Sequence, residues 1–113
     1  GYPYVGEAGA MAKVFPNVYI DITWLSIISQ SALEHGLEEW LDAVPGNKIL
    51  WGTDACNMEE VYTITQIAKE SLSRVLAKKV DRGDFSTESS VELGKGILTD
   101  NMLELLNAEK KYK

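Results

Sequence analysis

Two apolar runs with one amphipathic segment between them restrict this chain more than any other feature. From Val18 to Trp24 the sequence alternates, with Val18, Ile20, Ile22 and Trp24 on one face and Tyr19, Asp21 and Thr23 on the other. Period two with β-branched residues predicts a strand over about 18–24. Its second face is only semi-polar, which suits the inner wall of a barrel as well as open solvent. Lys48 to Thr53 is a short, nearly continuous apolar run bounded by turn residues. It predicts a second strand, over about 48–54, buried on both faces as in a parallel sheet. Between the two, Ser31 and Glu34 have the spacing of a capping box. Leu33, Leu37, Trp40, Leu41 and Val44 then stay within about a 100° arc of a helix, and Pro45-Gly46-Asn47 ends it. Strand, helix, strand implies a parallel pair joined by a right-handed crossover.

The flanking sequence is helical. Ala8 to Phe15 is rich in helix formers and is stopped by Pro16-Asn17. Asn57 is placed to cap a long helix, with Glu60 completing the box. Val61, Ile64, Ala68, Leu72 and Val75 form its apolar stripe, which runs to about Val80. Ser86 is a plausible cap for a segment from Thr87 to Leu98, and Asp100 for a short last helix carrying Leu103 and Leu106. The tail from Lys110 to Lys113 is expected to fray. The fold class is α/β. Two parallel strands leave both sheet edges open, whereas such sheets normally have more strands and helices on both faces. Residues 1–113 are therefore expected to be one partial domain with no internal boundary. The edges would be covered by the rest of a sheet or by a second copy.

Composition removes several functions. A net charge of −6 opposes a phosphate backbone, so nucleic acid is not an expected partner. The single cysteine, Cys56, excludes an internal disulfide framework and a Cys-rich zinc module. No run of about 18 apolar residues is present to span a membrane, and no charged-then-apolar leader opens the sequence, so the expected location is cytoplasmic. The first residue is Gly1 rather than methionine, which suggests processing or a piece of a longer chain.

Chemistry in α/β sheets and barrels gathers beyond the carboxyl ends of the strands. Here those ends are Thr23-Trp24 and Thr53-Asp54. Asp54 follows Gly52-Thr53 just before a capped helix, whose free N–H groups and dipole favour an ionised carboxylate. It can accept a proton from water or ligate a metal; equally, it can cap the helix or bind a turn N–H.

These residues resemble a known family. Phe15-Pro16-Asn17-Val18-Tyr19-Ile20-Asp21-Ile22, followed by Lys48-Ile49-Leu50-Trp51-Gly52-Thr53-Asp54, is similar to the C-terminal part of the amidohydrolase superfamily, in its amidohydrolase-2 branch of metal-dependent TIM-barrel hydrolases. The resemblance implies the C-terminal fragment of a (β/α)8 barrel, contributing its seventh and eighth strands. Asp54 would then be a metal ligand or the base that activates the attacking water. Asp100-Asn101 with Leu105-Leu106 resembles the closing helix, although Met102 departs from the usual Asn-Ala pair. The cofactor implied for the complete enzyme is a divalent metal, with zinc the expected ion. No metal is expected in this chain alone, because the family's His-x-His and further metal-binding histidines have no counterpart. A Gly-Tyr-Pro like Gly1-Tyr2-Pro3 commonly follows one of those histidines, so the chain is expected to begin just after it. If Asp54 faces the barrel interior, Leu50 and Gly52 share its side, while Ile49, Trp51 and Thr53 face the helices. Trp24 begins a substrate-contacting loop on this reading, but its strand parity matches the helix-facing residues.

The remaining candidates each have a plainer explanation. His35, the sole histidine, lies opposite the apolar stripe of its helix and so towards solvent. Cys56 can approach the pocket of Asp54, yet no second histidine supplies a base, so a small semi-buried thiol is expected. Asp21 is either a structural hydrogen-bonding post or a support for a site. Glu7 is expected to be solvated, unless it contacts substrate in a complete barrel. Gly94-Lys95-Gly96 lacks the spacing of a phosphate loop and suits close helix packing. The function expected is hydrolysis of a C–N or C–O bond of a small metabolite by metal-activated water, the fragment alone being inactive. The alternatives are a decarboxylase or isomerase of the same superfamily, and a non-catalytic α/β interaction module.

Overall fold

A computed structural model describes residues 2–111, with side chains through Asn107. Gly1, and the Tyr112-Lys113 end of the tail expected to fray, lie outside the described residues. The chain is built around a parallel pair, β1 (Ile20–Asp21) and β2 (Ile49–Leu50), in the register Ile20↔Ile49 and Asp21↔Leu50. The ladder gains one more bond where Ile22 N–H donates to the Leu50 carbonyl at 3.1 Å. Both strands are much shorter than the predicted 18–24 and 48–54, and the causes are local. Asp21 Oδ1 accepts from Thr23 N–H at 2.9 Å and turns the chain off the sheet. Lys48 sits in a 3₁₀ turn, Gly46–Lys48, that delays β2 by one residue.

Helices supply most of the packing. α1 (Val5–Val14) lies on α3 (Gln30–Ala43), where the Trp40 indole donates to the Val5 carbonyl at 2.8 Å. Gly9 allows this approach, because a Cβ there would come within 3.0 Å of the Trp40 ring. Leu33, Leu37, Trp40, Leu41 and Val44 are all buried, as their spacing predicts. The cap is Ser29, not Ser31: a short helix, α2 (Leu25–Ile28), fills the preceding residues, and Ser29 takes extended backbone between the two. Its Oγ accepts from Ala32 N–H. Glu34, freed from capping, meets Arg74 at 3.0 Å.

The crossover leads to α4 (Met58–Asp81), whose Asn57 cap and reciprocal Glu60 match the predicted box. Ile64, Ala68, Leu72 and Val75 are buried against the core, but Val61 is exposed at the free first turn. α4 is tied to α3 by Lys79, which is buried and hydrogen bonds to Asp42. A second tie runs from Lys78 to Glu38 at 2.7 Å, and the ammonium holds the Glu38 carboxyl below the usual carboxylate range.

The last segment departs from its predicted form. α5 (Thr87–Lys95) continues through one wide turn, Gly96–Asp100, into α6 (Asn101–Lys111) without a break. Asp100 therefore caps nothing, and Lys110 and Lys111 still belong to the helix. Within the wide turn Asn101 N–H reaches back five residues to the Gly96 carbonyl. Its side chain, buried, donates to the Gly46 and Ile49 carbonyls, each at 2.8 Å. Because Leu50 offers its carbonyl to β1, alternation turns that of Ile49 to the opposite edge. Asn101 thus occupies part of an edge expected to be open. Among the described residues, no helix is long and apolar enough to cross a membrane.

Candidate functional site

The two strands run in the same direction, so their carboxyl ends open on one side of the molecule. Beyond β1 the chain passes through Thr23 to Trp24, and beyond β2 through Gly52 to Asp54. The two exits nearly touch: a Cβ at Gly52 would lie 3.0 Å from Thr23 Oγ1. Two residues at these exits adopt backbone that side chains rarely take, Trp24 with a φ of 70° and Asp54 with a φ of 51°. Each such conformation costs on the order of 1–3 kcal/mol, and for a bulky residue like Trp it is a genuine outlier. The two side chains meet, the Trp24 indole Nε1–H donating to Asp54 Oδ2.

Asp54 is exposed and does not cap α4, since Asn57 performs that task. Its carboxylate is therefore spared for other chemistry while one oxygen is engaged by the indole. Trp24 is half exposed. The parity argument that pointed it at the helices fails because the strand has already ended. By contrast, Ile49 and Trp51 do face the helical core, as that parity predicts.

A cleft of about 580 Å³ lies between α2 and the start of α4, lined by Trp24, Ile27, Asp54, Cys56 and Ile64 among others. Ser26, Glu59 and Glu60 also border it, so three carboxylates and no basic side chain face the space. Glu60 is committed to the cap, accepting from Cys56 N–H and from Asn57 Nδ2, each at 2.9 Å. Ser26 Oγ is buried there without a hydrogen-bond partner among the described residues. Cys56 shares the cleft as expected, but its thiol is exposed rather than semi-buried. The chain leaves β2 at Leu50 and carries Cys56 out to the free end of α4.

The other candidates are not brought to this place. His35 is exposed on α3, 3.7 Å from Glu39. Glu7 is exposed on α1. Asp21 is exposed and serves the turn at Thr23, a structural post. Gly94 lets α5 approach α4, where a Cβ would meet Leu76 at 3.2 Å. Among the described residues no three His, Cys, Asp or Glu side chains converge to hold a metal ion. Asp54 offers one carboxylate, whereas a catalytic zinc commonly takes three protein ligands. These residues alone do not fit a metal centre.

Sequence reasoning missed the roles of two residues that shape this region. Lys48 is buried and donates to the Ala12 carbonyl and, at 2.7 Å, to that of Phe15, closing the end of α1 over β2. Asn101 is the other. The sequence marks each only as part of a motif, Lys48 at the opening of the second strand and Asn101 beside Asp100 in the resemblance to the closing helix.

Residues 1–89 match the family model described as Amidohydrolase. The chain belongs to the amidohydrolase family. Among the relatives of this amidohydrolase chain is Protein fluG of Emericella nidulans, 34% identical over 102 residues. That alignment covers 88% of this chain but only 12% of the relative's length. No solved structure matches the chain. Trp24, Asp54 and Cys56 all lie within the matched stretch, and Asn101 lies beyond it.

Proposed function

We propose that this amidohydrolase chain forms the last two strands and closing helices of a (β/α)8 barrel that hydrolyses a C–N or C–O bond in a small metabolite. Asp54 is the carboxylate that takes the proton from the attacking water. The observation that carries this reading is the position of Asp54, exposed beyond the carboxyl end of a parallel strand and facing a cleft of substrate size. That is where barrel enzymes hold their reacting groups. In the step assigned to it, Asp54 accepts one proton from water as the oxygen attacks the substrate carbon. The C–N or C–O bond then breaks, and its leaving atom departs with the proton that Asp54 took up, which returns Asp54 to the carboxylate.

The family's divalent metal would be held chiefly by residues other than those described, with Asp54 able to give at most one ligand. The remaining strands of the barrel would cover the sheet edges that Asn101 does not occupy. The test is an assay of the protein carrying these residues against a panel of p-nitrophenyl esters and p-nitroanilides. On the substrate turned over best, Asp54→Asn is expected to lower kcat by about 10²–10⁴-fold, the range for a lost general base. Its thermal melt should be unchanged, since Asp54 is exposed. Wild-type turnover by the variant refutes the assignment.

A further inference from the structure

We propose that Trp24 is the positioning residue for Asp54, its indole N–H fixing which oxygen of the carboxylate is left free towards the cleft. The inference rests on the role proposed above for Asp54 and adds the group that acts through it. Three observations converge. The indole donates directly to Asp54 Oδ2. Both residues hold left-handed backbone, at φ 70° and φ 51°, on opposite sides of the gap between the two strand exits. Both line the same cleft.

Burial alone does not hold this arrangement. Trp24 is 50% exposed, and its carbonyl is tied into α2 by the N–H groups of Ile27 and Ile28, each at 3.0 Å, so the turn fixes the backbone while the indole is left to reach Asp54. Asp54 is exposed too, and its hydrogen bond to the indole is the contact that joins the two unusual residues. Unfavoured backbone persists where the surroundings over-determine it, and it clusters where geometry serves a task. With Oδ2 committed to the indole, Oδ1 is the atom presented for a proton. A carboxylate free to rotate would spread its acceptor over several directions, and misplacement by about 1 Å can cost 10²-fold in rate.

The experiment uses the three tryptophans as their own controls. In a ¹H–¹⁵N spectrum of the protein, Trp24→Phe removes one indole N–H signal and so assigns it. Asp54→Ala is then expected to move that signal upfield and speed its exchange with solvent. The Trp40 signal, bonded to the Val5 carbonyl, should stay in place, as should that of Trp51, which has no partner among the described residues. In turnover, Trp24→Phe is expected to lower kcat about 10- to 100-fold with KM and the thermal melt unchanged. An indole signal indifferent to Asp54→Ala overturns the proposal. So does Trp24→Phe with wild-type kcat beside an inactive Asp54→Asn, a result that leaves the role of Asp54 standing. If Asp54→Asn itself keeps wild-type turnover, the role of Asp54 falls and the positioning role with it.

Discussion

Lys79 illustrates how a single buried charge is carried in this fold. Its side chain is 1% exposed, whereas that of its partner Asp42 is 60% exposed. The ammonium has been taken from water and hydrogen bonds to a carboxylate that remains half in solvent, with the Glu38 carboxylate near enough to feel its charge. Removing one member of a buried pair leaves the other uncompensated, whereas removing both can be nearly neutral. Asp42→Ala is therefore expected to destabilise the chain by about 2 kcal/mol, below the 3–5 kcal/mol of a fully buried pair because water reaches this one. Adding Lys79→Met to that variant should restore much of the loss, since the Met stem fills the same space against α3 without a charge. Urea melts of the single and double variants check this. A double variant no more stable than Asp42→Ala would mean that Lys79 matters for its shape and not for its charge.

At the scale of elements, the wide turn Gly96–Asp100 packs on the core through Ile97, and one amide hydrogen bonds it and the helix it opens to the sheet. Asn101 satisfies two carbonyls, one at the 3₁₀ turn and one on the outer edge of β2, from 55 and 52 residues away. Asn101→Ala removes both bonds and orphans the Ile49 carbonyl, whereas that of Gly46 keeps the Ile49 N–H. At a net cost of roughly 1 kcal/mol per bond, more where water cannot enter, the loss should be about 2 kcal/mol. Hydrogen exchange should locate it, with faster exchange in α6 and at β2 while α3 keeps its protection. The same distances explain which elements were legible in the sequence. The strand-helix-strand order, the stripe of α3 and the Asn57–Glu60 box depend on residues a few positions apart, and they stand as read. The strand ends, the cap at Ser29 and the continuous last helix did not follow the local pattern. Ser31 and Glu34 had the right spacing, but α2 moved the helix start to Ser29. Strand parity misplaces Trp24, which lies three residues past the end of β1, and its partner Asp54 lies 30 residues on. Asp54 itself was legible because a carboxylate at the end of a buried strand is a local pattern. Its hydrogen-bond partner was not.

For the whole molecule, the decisive quantity is how many metal ligands these residues can bring together. The sequence has one histidine and one cysteine. The histidine is exposed on α3; the cysteine lines the cleft of Asp54 beside Glu59 and Glu60, yet among the described residues no three such side chains converge closely enough to hold a metal ion. Asp54 has already given one oxygen to the Trp24 indole, so it can offer a metal little more than a single bond. A divalent ion exchanging most of its water shell for one exposed carboxylate gains little, because the attraction is screened by solvent. Calorimetric titration of the 113-residue chain with zinc at neutral pH should therefore show no tight stoichiometric binding, and Asp54→Ala should leave the trace unchanged. Protein carrying the further strands of the proposed barrel should bind the ion, with Asp54→Ala weakening but not abolishing retention. Tight one-to-one binding by the short chain, lost in Asp54→Ala, would mean that these residues assemble a centre by themselves. The proposal that the other ligands come from the remaining barrel would then be wrong, while Asp54 would remain a ligand.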